Sequence, residues 1–248
     1  MKKYLLTFCS SNYSNERVNK NIVPNEAKSL NIFDEIISLD EYDLDTHIYN
    51  IIQERIKKYG YRLYGYSSWR PYLILKYLNQ INDGDILVYM DSDFISLSEN
   101  KSHKQELFKD VFDRLEKNDK GIIAHFGEGS TDLLFTTTKL RKCVEKYLNY
   151  NFTFDQLNNL QYASGIIFIK KCKTSIDIIN LWNEILQNNF DLVTDAHNND
   201  PDNYEGFIEN RHEQSIWSLM CKYYNIENDR INIYEEFMNY KYNYKQYL

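Results

Sequence analysis

The sequence predicts an α/β fold: one Rossmann-type domain with a mostly parallel central sheet flanked by helices. Short apolar runs that read as buried strands alternate with amphipathic segments of helical period. No Gly/Ser linker, internal repeat or composition break divides the 248 residues, so residues 1–248 read as a single domain. Hydrophobic residues (43%) and charged residues (26%) are in globular proportion, enough for a large core.

The elements follow in order. Lys3–Cys9 is a continuous apolar run and reads as the first buried strand. A polar loop follows, with Asn15 placed to cap a helix from Glu16. Glu35–Leu39 is a second strand. Asp45 can cap a helix running to Tyr59, which Gly60 ends. Ser67 or Ser68 can cap the next helix, with Pro71 in its first turn and Leu73, Ile74, Tyr77 and Leu78 on one face. Asn82-Asp83-Gly84 is a turn, and Asp85–Met90 is the clearest buried strand. Further on, Lys104–Lys117 reads as helix, Gly121–His125 as strand and 127–130 as flexible loop. Tyr162–Ile169 reads as a strand interrupted by Gly165, and Ile176–Leu186 as helix. Asn188–Glu209 is polar and long, a candidate lid or acceptor loop. Glu213–Tyr224 is a final helix.

The formal net charge of −7 argues against a nucleic-acid partner, since an acidic surface repels phosphate backbones. The four cysteines form no CxxC pair, so free thiols are expected rather than zinc or a disulfide framework. No signal peptide and no apolar run of membrane-spanning length is visible, which predicts a cytoplasmic protein. The tail 240–248 alternates Tyr with Lys and Asn; it can contact the inner membrane face or an anionic lipid-linked acceptor, or simply be solvated. Aromatics reach 15%, with 22 Tyr. Tyr can line a sugar site, although Lys, Asn and Ile are abundant alongside it, as AT-rich coding alone would produce.

The chemistry-bearing signal is Asp91-Ser92-Asp93. It stands at the carboxyl end of the clearest strand, where open α/β sheets bind ligands. In extended chain, residues two apart point the same way, so Asp91 and Asp93 can share one hard cation, Mn²⁺ or Mg²⁺, that bridges to substrate phosphate. Asp93 is also a candidate catalytic carboxylate, and Ser92 lies between the pair.

Hydrophobic strand plus DxD resembles the GT-A glycosyltransferases. More narrowly, the chain is similar to small bacterial transferases of surface (capsule or lipooligosaccharide) polysaccharide. The resemblance rests on Ser68-Trp69-Arg70-Pro71-Tyr72 with its apolar helix, on Asp83–Asp93, and on Asn210-Arg211-His212-Glu213-Gln214-Ser215. The family's His-Arg-His-Asp-Gln-Ser pattern is met at Arg211, His212, Gln214 and Ser215, while Asn210 and Glu213 depart from it. The resemblance implies a nucleotide-diphosphate sugar donor, UDP- or GDP-linked, and a saccharide or lipid-linked acceptor. It implies a nucleotide-binding half over about 1–95 and an acceptor half over about 96–248. Phe8, Ser10 and Tyr13 would hold the nucleotide, with core packing a competing role for Phe8.

Arg70 sits in a helix first turn, suited to a diphosphate or donor-sugar contact. Glu213 is the candidate general base for an acceptor hydroxyl, and His212 the candidate third metal ligand. Arg211 and Gln214 are candidate donor contacts beside them. His125 and Glu128, and Asp195, His197 and Asp200 in the lid, are weaker acceptor-side candidates.

Two other readings share the motif. A non-catalytic nucleotide-sugar-binding protein has the same fold. A haloacid-dehalogenase-type phosphatase would use Asp91 as nucleophile, but that family sets its motif near the N-terminus and a Thr or Val where Ile95 stands.

Overall fold

A computed structural model describes residues 1–12, 19–94 and 100–228, apart from the Glu128 side chain. The helix start at Asn15 and Glu16, the candidate Tyr13, Ile95 and the tail 240–248 lie outside the described residues. The described strands are β1 (Lys3–Phe8), β2 (Glu35–Leu39), β3 (Ile86–Met90), β4 (Ile122–Thr131), β5 (Leu160–Lys170) and β6 (Glu227–Asn228). They form one sheet in the order β2-β1-β3-β5-β4-β6. The pairs β2–β1, β1–β3 and β4–β6 are parallel, while β5 runs antiparallel to both β3 and β4. The sheet is therefore mostly parallel, with one reversed strand inside it.

Helices cover both faces, and strand side chains sort between them with the expected period of two. Leu5, Ile86, Val88 and Met90 point to one side, packing with Val23, Ala27 and Leu30 of α1 (Ile22–Leu30) and with Phe108, Val111, Phe112 and Leu115 of α5 (Lys101–Lys117). Tyr4, Leu6, Leu87 and Tyr89 point to the other. There they meet α2 (Thr46–Tyr59), α4 (Arg70–Gln80), α7 (Thr138–Leu148), α9 (Lys173–Asn188) and α11 (Glu213–Tyr223). Trp182 and Trp217 stack there at 4.8 Å between ring centroids.

Several expectations hold closely. β2 spans the predicted residues, Asp45 and Gly60 flank α2, and α11 begins at Glu213. Others are corrected. The residues 127–130 are not a loop but part of β4, with register shifts against β5 on either side of Phe126. The polar stretch after α9 folds in part into α10 (Phe190–Val193) and a 3-10 turn, Asp195–His197. The chain between β4 and β5 adds α6 (Asp132–Phe135), α7 and α8 (Phe154–Asn158), which the sequence reading did not draw out. All four cysteines are free, Cys9 and Cys221 buried and the other two half-buried. No helix among the described residues is long and apolar enough to cross a membrane.

One buried network fixes α11 against the sheet. Asp132 is fully enclosed and pairs with Lys222 at 2.5 Å. It also accepts hydrogen bonds from Ser218 (2.9 Å), Gln161 (3.0 Å) and Thr136 (3.1 Å). Removing one partner strands a buried charge. Asp132→Ala is expected to cost about 3–5 kcal/mol in urea unfolding. The double change Asp132→Leu with Lys222→Met is expected to recover most of that loss.

Candidate functional site

β1 has β2 on one side and β3 on the other, so the chain reverses direction across the sheet between β1 and β3. Crevices in open α/β sheets form outside the carboxyl ends of strands at such a point. A cavity of about 330 Å³ lies there. Phe8, Ser10 and Asn12 reach it from the end of β1, and Asp91, Ser92 and Asp93 from the end of β3. Tyr61, Leu63, Tyr64, Ser67, Trp69 and Arg70 complete its wall from the segment leading into α4. The structure thus brings Phe8, Ser10, Arg70 and the whole Asp91-Ser92-Asp93 motif to one place.

Arg70 is the centre of the charge arrangement. Its guanidinium is buried, yet it contacts Asp91 Oδ1 at 2.8 Å and Oδ2 at 3.0 Å through Nη2. Through Nη1 it donates to Ser164 Oγ at 2.7 Å and to Glu213 Oε1. Ser164 Oγ donates in turn to Glu213 Oε1 at 2.9 Å, and the Tyr89 hydroxyl donates to Asp91 Oδ1. Burial pulls the Arg70 pKa down, but the Asp91 charge and Tyr89 outweigh it and hold it above its usual value. Arg70 therefore stays charged, and it stands on the cavity wall as a partner of Asp91 and Glu213. Nearly all its donors are spent on protein oxygens, and Nε is the buried donor with no partner.

Asp93 behaves differently. Burial first, and then the charge of Asp91, push its carboxyl up to about 7. One guanidinium thus stands among three carboxyl groups, Asp91, Asp93 and Glu213. A dication beside the pair would offset the surplus negative charge and hold Asp93 ionised. Two carboxylates with the rest of the shell from phosphate and water suit Mg²⁺ or Mn²⁺. No group of three or more His, Cys, Asp or Glu able to hold a metal is formed among the described residues.

The backbone contributes as well. Asp91 N–H donates to Gly165 C=O at 2.8 Å. A Cβ on Gly165 would stand 3.1 Å from Asp91 Oδ2 and 3.4 Å from the Phe94 ring. Gly165 is therefore a point of close approach for the acidic loop, inside an unbroken strand.

The late-helix candidates are placed elsewhere than expected. Glu213 is 2% exposed and faces inward onto Arg70, so it positions the guanidinium and does not meet an acceptor as base. His212 does not reach the acidic pair. Its Nδ1 lies 2.8 Å from Val193 C=O and its ring packs edge-on to Tyr66 at 4.9 Å. Burial lowers its pKa to about 4, so the ring is neutral. Arg211 is exposed, paired with Glu209 at 3.2 Å and lying over the Phe135 ring. Gln214 bridges Gln161 (3.1 Å) and Ser164 N–H (3.4 Å) and does not line the cavity. Of the weaker candidates, His125 is buried with its pKa lowered by burial to about 4. His197 lies between Asp191 and Asp200, at 2.8 and 2.9 Å.

Phe8 was expected at the nucleotide, but Tyr61, Tyr64 and Trp69 were not singled out, and the cause is local backbone. Leu63, Tyr64, Gly65, Tyr66 and Ser67 all have positive φ, from 48° to 75°. With Tyr66 N–H bonded to Arg62 C=O and Ser67 N–H to Leu63 C=O, this is a single left-handed helical turn, α3 (Leu63–Tyr66). Such backbone costs roughly 1–2 kcal/mol for each non-glycine residue. Packing holds it in place: Tyr64 stacks near Phe8 (5.9 Å) and takes a hydrogen bond from Gln53 (3.1 Å). Gly65 sits where a Cβ would crowd Ile52 at 3.1 Å. The turn takes in Ser67, one of the two residues expected to cap α4, and Trp69 is the N-cap, with no side-chain cap bond. Trp69 stacks on Phe8 at 4.0 Å. Phe8 is thus both core and cavity wall. Glu41, also missed, is buried after β2 and accepts from Ser11 N–H (2.8 Å) and Ser11 Oγ.

Compared with family models, with curated proteins and with solved structures, the chain matches none.

Two expected outcomes follow from this geometry. Leu63 is half exposed, so Leu63→Gly removes little packing while relieving a left-handed residue. It is expected to raise stability by roughly 0.5–1 kcal/mol in urea unfolding. The second concerns Asp93 without metal. Its folded pKa of about 7 lies above the unfolded 3.8, so between those values the folded state binds the extra proton. The contribution is full below pH 3.8 and is lost as pH rises through 7. Asp93→Asn is therefore expected to melt above the parent protein at pH 8 in chelator, with the gap closing toward pH 4.

Proposed function

We propose that the protein is a metal-dependent glycosyltransferase that moves a sugar from a nucleotide-diphosphate donor to a saccharide or lipid-linked acceptor. The observation that carries this reading is the acidic pair Asp91 and Asp93 at the β1/β3 crevice, in a cavity that Phe8, Tyr61, Tyr64 and Trp69 also line. A flat nucleobase suits Phe8, Tyr61, Tyr64 and Trp69, and an anionic diphosphate needs the local positive charge that the acidic pair would recruit.

Asp91 and Asp93 would hold Mn²⁺ or Mg²⁺. When bound, the ion supplies neutralisation of the diphosphate that leaves as the sugar is transferred. Arg70 fixes the direction of the Asp91 carboxylate from behind, and Glu213 and Ser164 fix Arg70. This shell leaves little freedom for the pair to rearrange, which preorganises it for one ligand geometry. Gly165 lets the acidic loop lie against β5. With Glu213 turned inward, Asp93 is the carboxylate left on the cavity wall for proton transfer or ligation.

The phosphatase reading is disfavoured by Asp91 itself. Both of its oxygens already accept hydrogen bonds from Arg70, and Oδ1 takes the Tyr89 hydroxyl as well, which blunts a nucleophile.

The test is a thermal-shift panel of UDP- and GDP-sugars with and without Mn²⁺. A true donor is expected to raise the melting temperature only with metal, in line with its occupancy. Asp93→Ala is expected to abolish the metal-dependent part while the protein stays folded. A nucleotide sugar that binds equally well in chelator would remove the basis for the proposal.

A further inference from the structure

A second concavity of about 710 Å³ lies on α7 and α10, apart from the residues of the β1/β3 crevice. Lys139, Lys142 and Lys146 line it, with Tyr147, Asn189 and Leu192. The three lysines stand at helical spacing on one exposed side of α7, spanning about 10 Å along its axis. In a chain of net charge −7 this is a local reversal of sign. Lys139 is partly answered by Asp200 at 3.0 Å. Lys142 and Lys146 form no ion pair among the described residues, so two ammonium groups face solvent.

The neutral groups are as telling as the charges. Tyr147 presents an exposed ring, and its hydroxyl accepts from Asn189 Nδ2 (3.2 Å) and Asn188 Nδ2 (3.5 Å), leaving its own proton for an outside acceptor. A row of cations beside an aromatic face and a phenol proton fits a chain that alternates carboxylate or phosphate with apolar sugar faces. A flat bilayer surface would favour a convex basic face, whereas this one is hollow. The polar segment after α10 also borders both places. Asp195 and Glu209 bind Arg62, next to the cavity wall, at 3.0 and 3.1 Å. From the same segment, Asp200 binds Lys139 and Asn203 Oδ1 accepts from Thr138 N–H at 3.0 Å.

We infer that the α7 concavity docks an anionic saccharide chain, with Lys142 and Lys146 as its charge contacts and Tyr147 as its stacking platform. This rests on the glycosyltransferase reading only in naming the chain as the acceptor; the binding itself needs neither donor nor metal.

The test titrates the full chain by calorimetry with three probes: short oligogalacturonate, maltooligosaccharide of matching length, and phosphatidylglycerol vesicles. Oligogalacturonate is expected to bind and the neutral sugar not. Lys142→Glu with Lys146→Glu is expected to weaken oligogalacturonate at least about tenfold, equivalent to roughly 1.4 kcal/mol. Tyr147→Ala, which changes no charge, is expected to weaken it several-fold. The inference is overturned by equal binding of both sugars, by no binding of either, or by indifference to Tyr147→Ala, which would mark a plain counterion patch. Vesicle binding that the double charge reversal abolishes, without oligogalacturonate binding, overturns it in favour of a membrane. The donor panel is read separately on the unaltered protein, so a failed donor shift counts against the transferase reading and not against this surface.

Discussion

The buried contact between Arg70 and Asp91 is the constraint on which the site depends. A guanidinium in a protein interior is tolerable only when its charge and its donors are matched. Here Asp91, Ser164 and Glu213 do the matching, and they come from β3, β5 and α11. One side chain at the start of α4 therefore ties together three elements that are distant in sequence. It also divides the acidic groups by task. Asp91 is locked, Glu213 is enclosed, and Asp93 is left with a carboxyl whose charge the protein alone does not balance.

Around that centre, stability and function pull in different directions. The left-handed turn at 63–67 is a poor local choice for four of its five residues, yet it delivers Tyr64 and Ser67 to the cavity and Tyr66 to the opposite side, against His212. Strained backbone of this kind persists where surrounding packing over-determines it. The Phe8 and Gln53 contacts to Tyr64 supply that packing, and Arg62, just before the turn, is anchored by Asp195 and Glu209.

What the sequence disclosed follows from the range of the interactions involved. β3 and the acidic pair were legible because a buried strand and its terminus are local patterns, seen within ten residues. The two-faced sheet was legible from alternating strand and helix. The direction of Glu213 was not. Whether a first-turn carboxylate faces solvent or core depends on the rotation of α11, and a buried arginine 143 positions away sets its partner. His212 failed as a ligand for a related reason. Its φ of 57° places it outside the helix and turns the ring toward Val193. The left-handed turn was hidden because its only glycine, Gly65, marks one residue of a five-residue conformation. The lysine row of α7 was not singled out, because the concavity that gathers it is made with α10.

The reversed strand has one more consequence. β3 pairs with β5 only over Ile166–Lys170, while β5 and β4 continue together to Leu160 and Thr131. The two longer strands thus rise past the end of β3 as a ribbon, and Asp91 leans on its base at Gly165. The facing of Ser164 on this parapet is fixed by its two-residue distance from Ile166, the last β5 residue paired to β3. Trimming the far end near Leu160 would lower the ribbon and leave Ser164 turned toward Arg70, whereas deleting one residue between Ser164 and Ile166 would turn Ser164 to the opposite face.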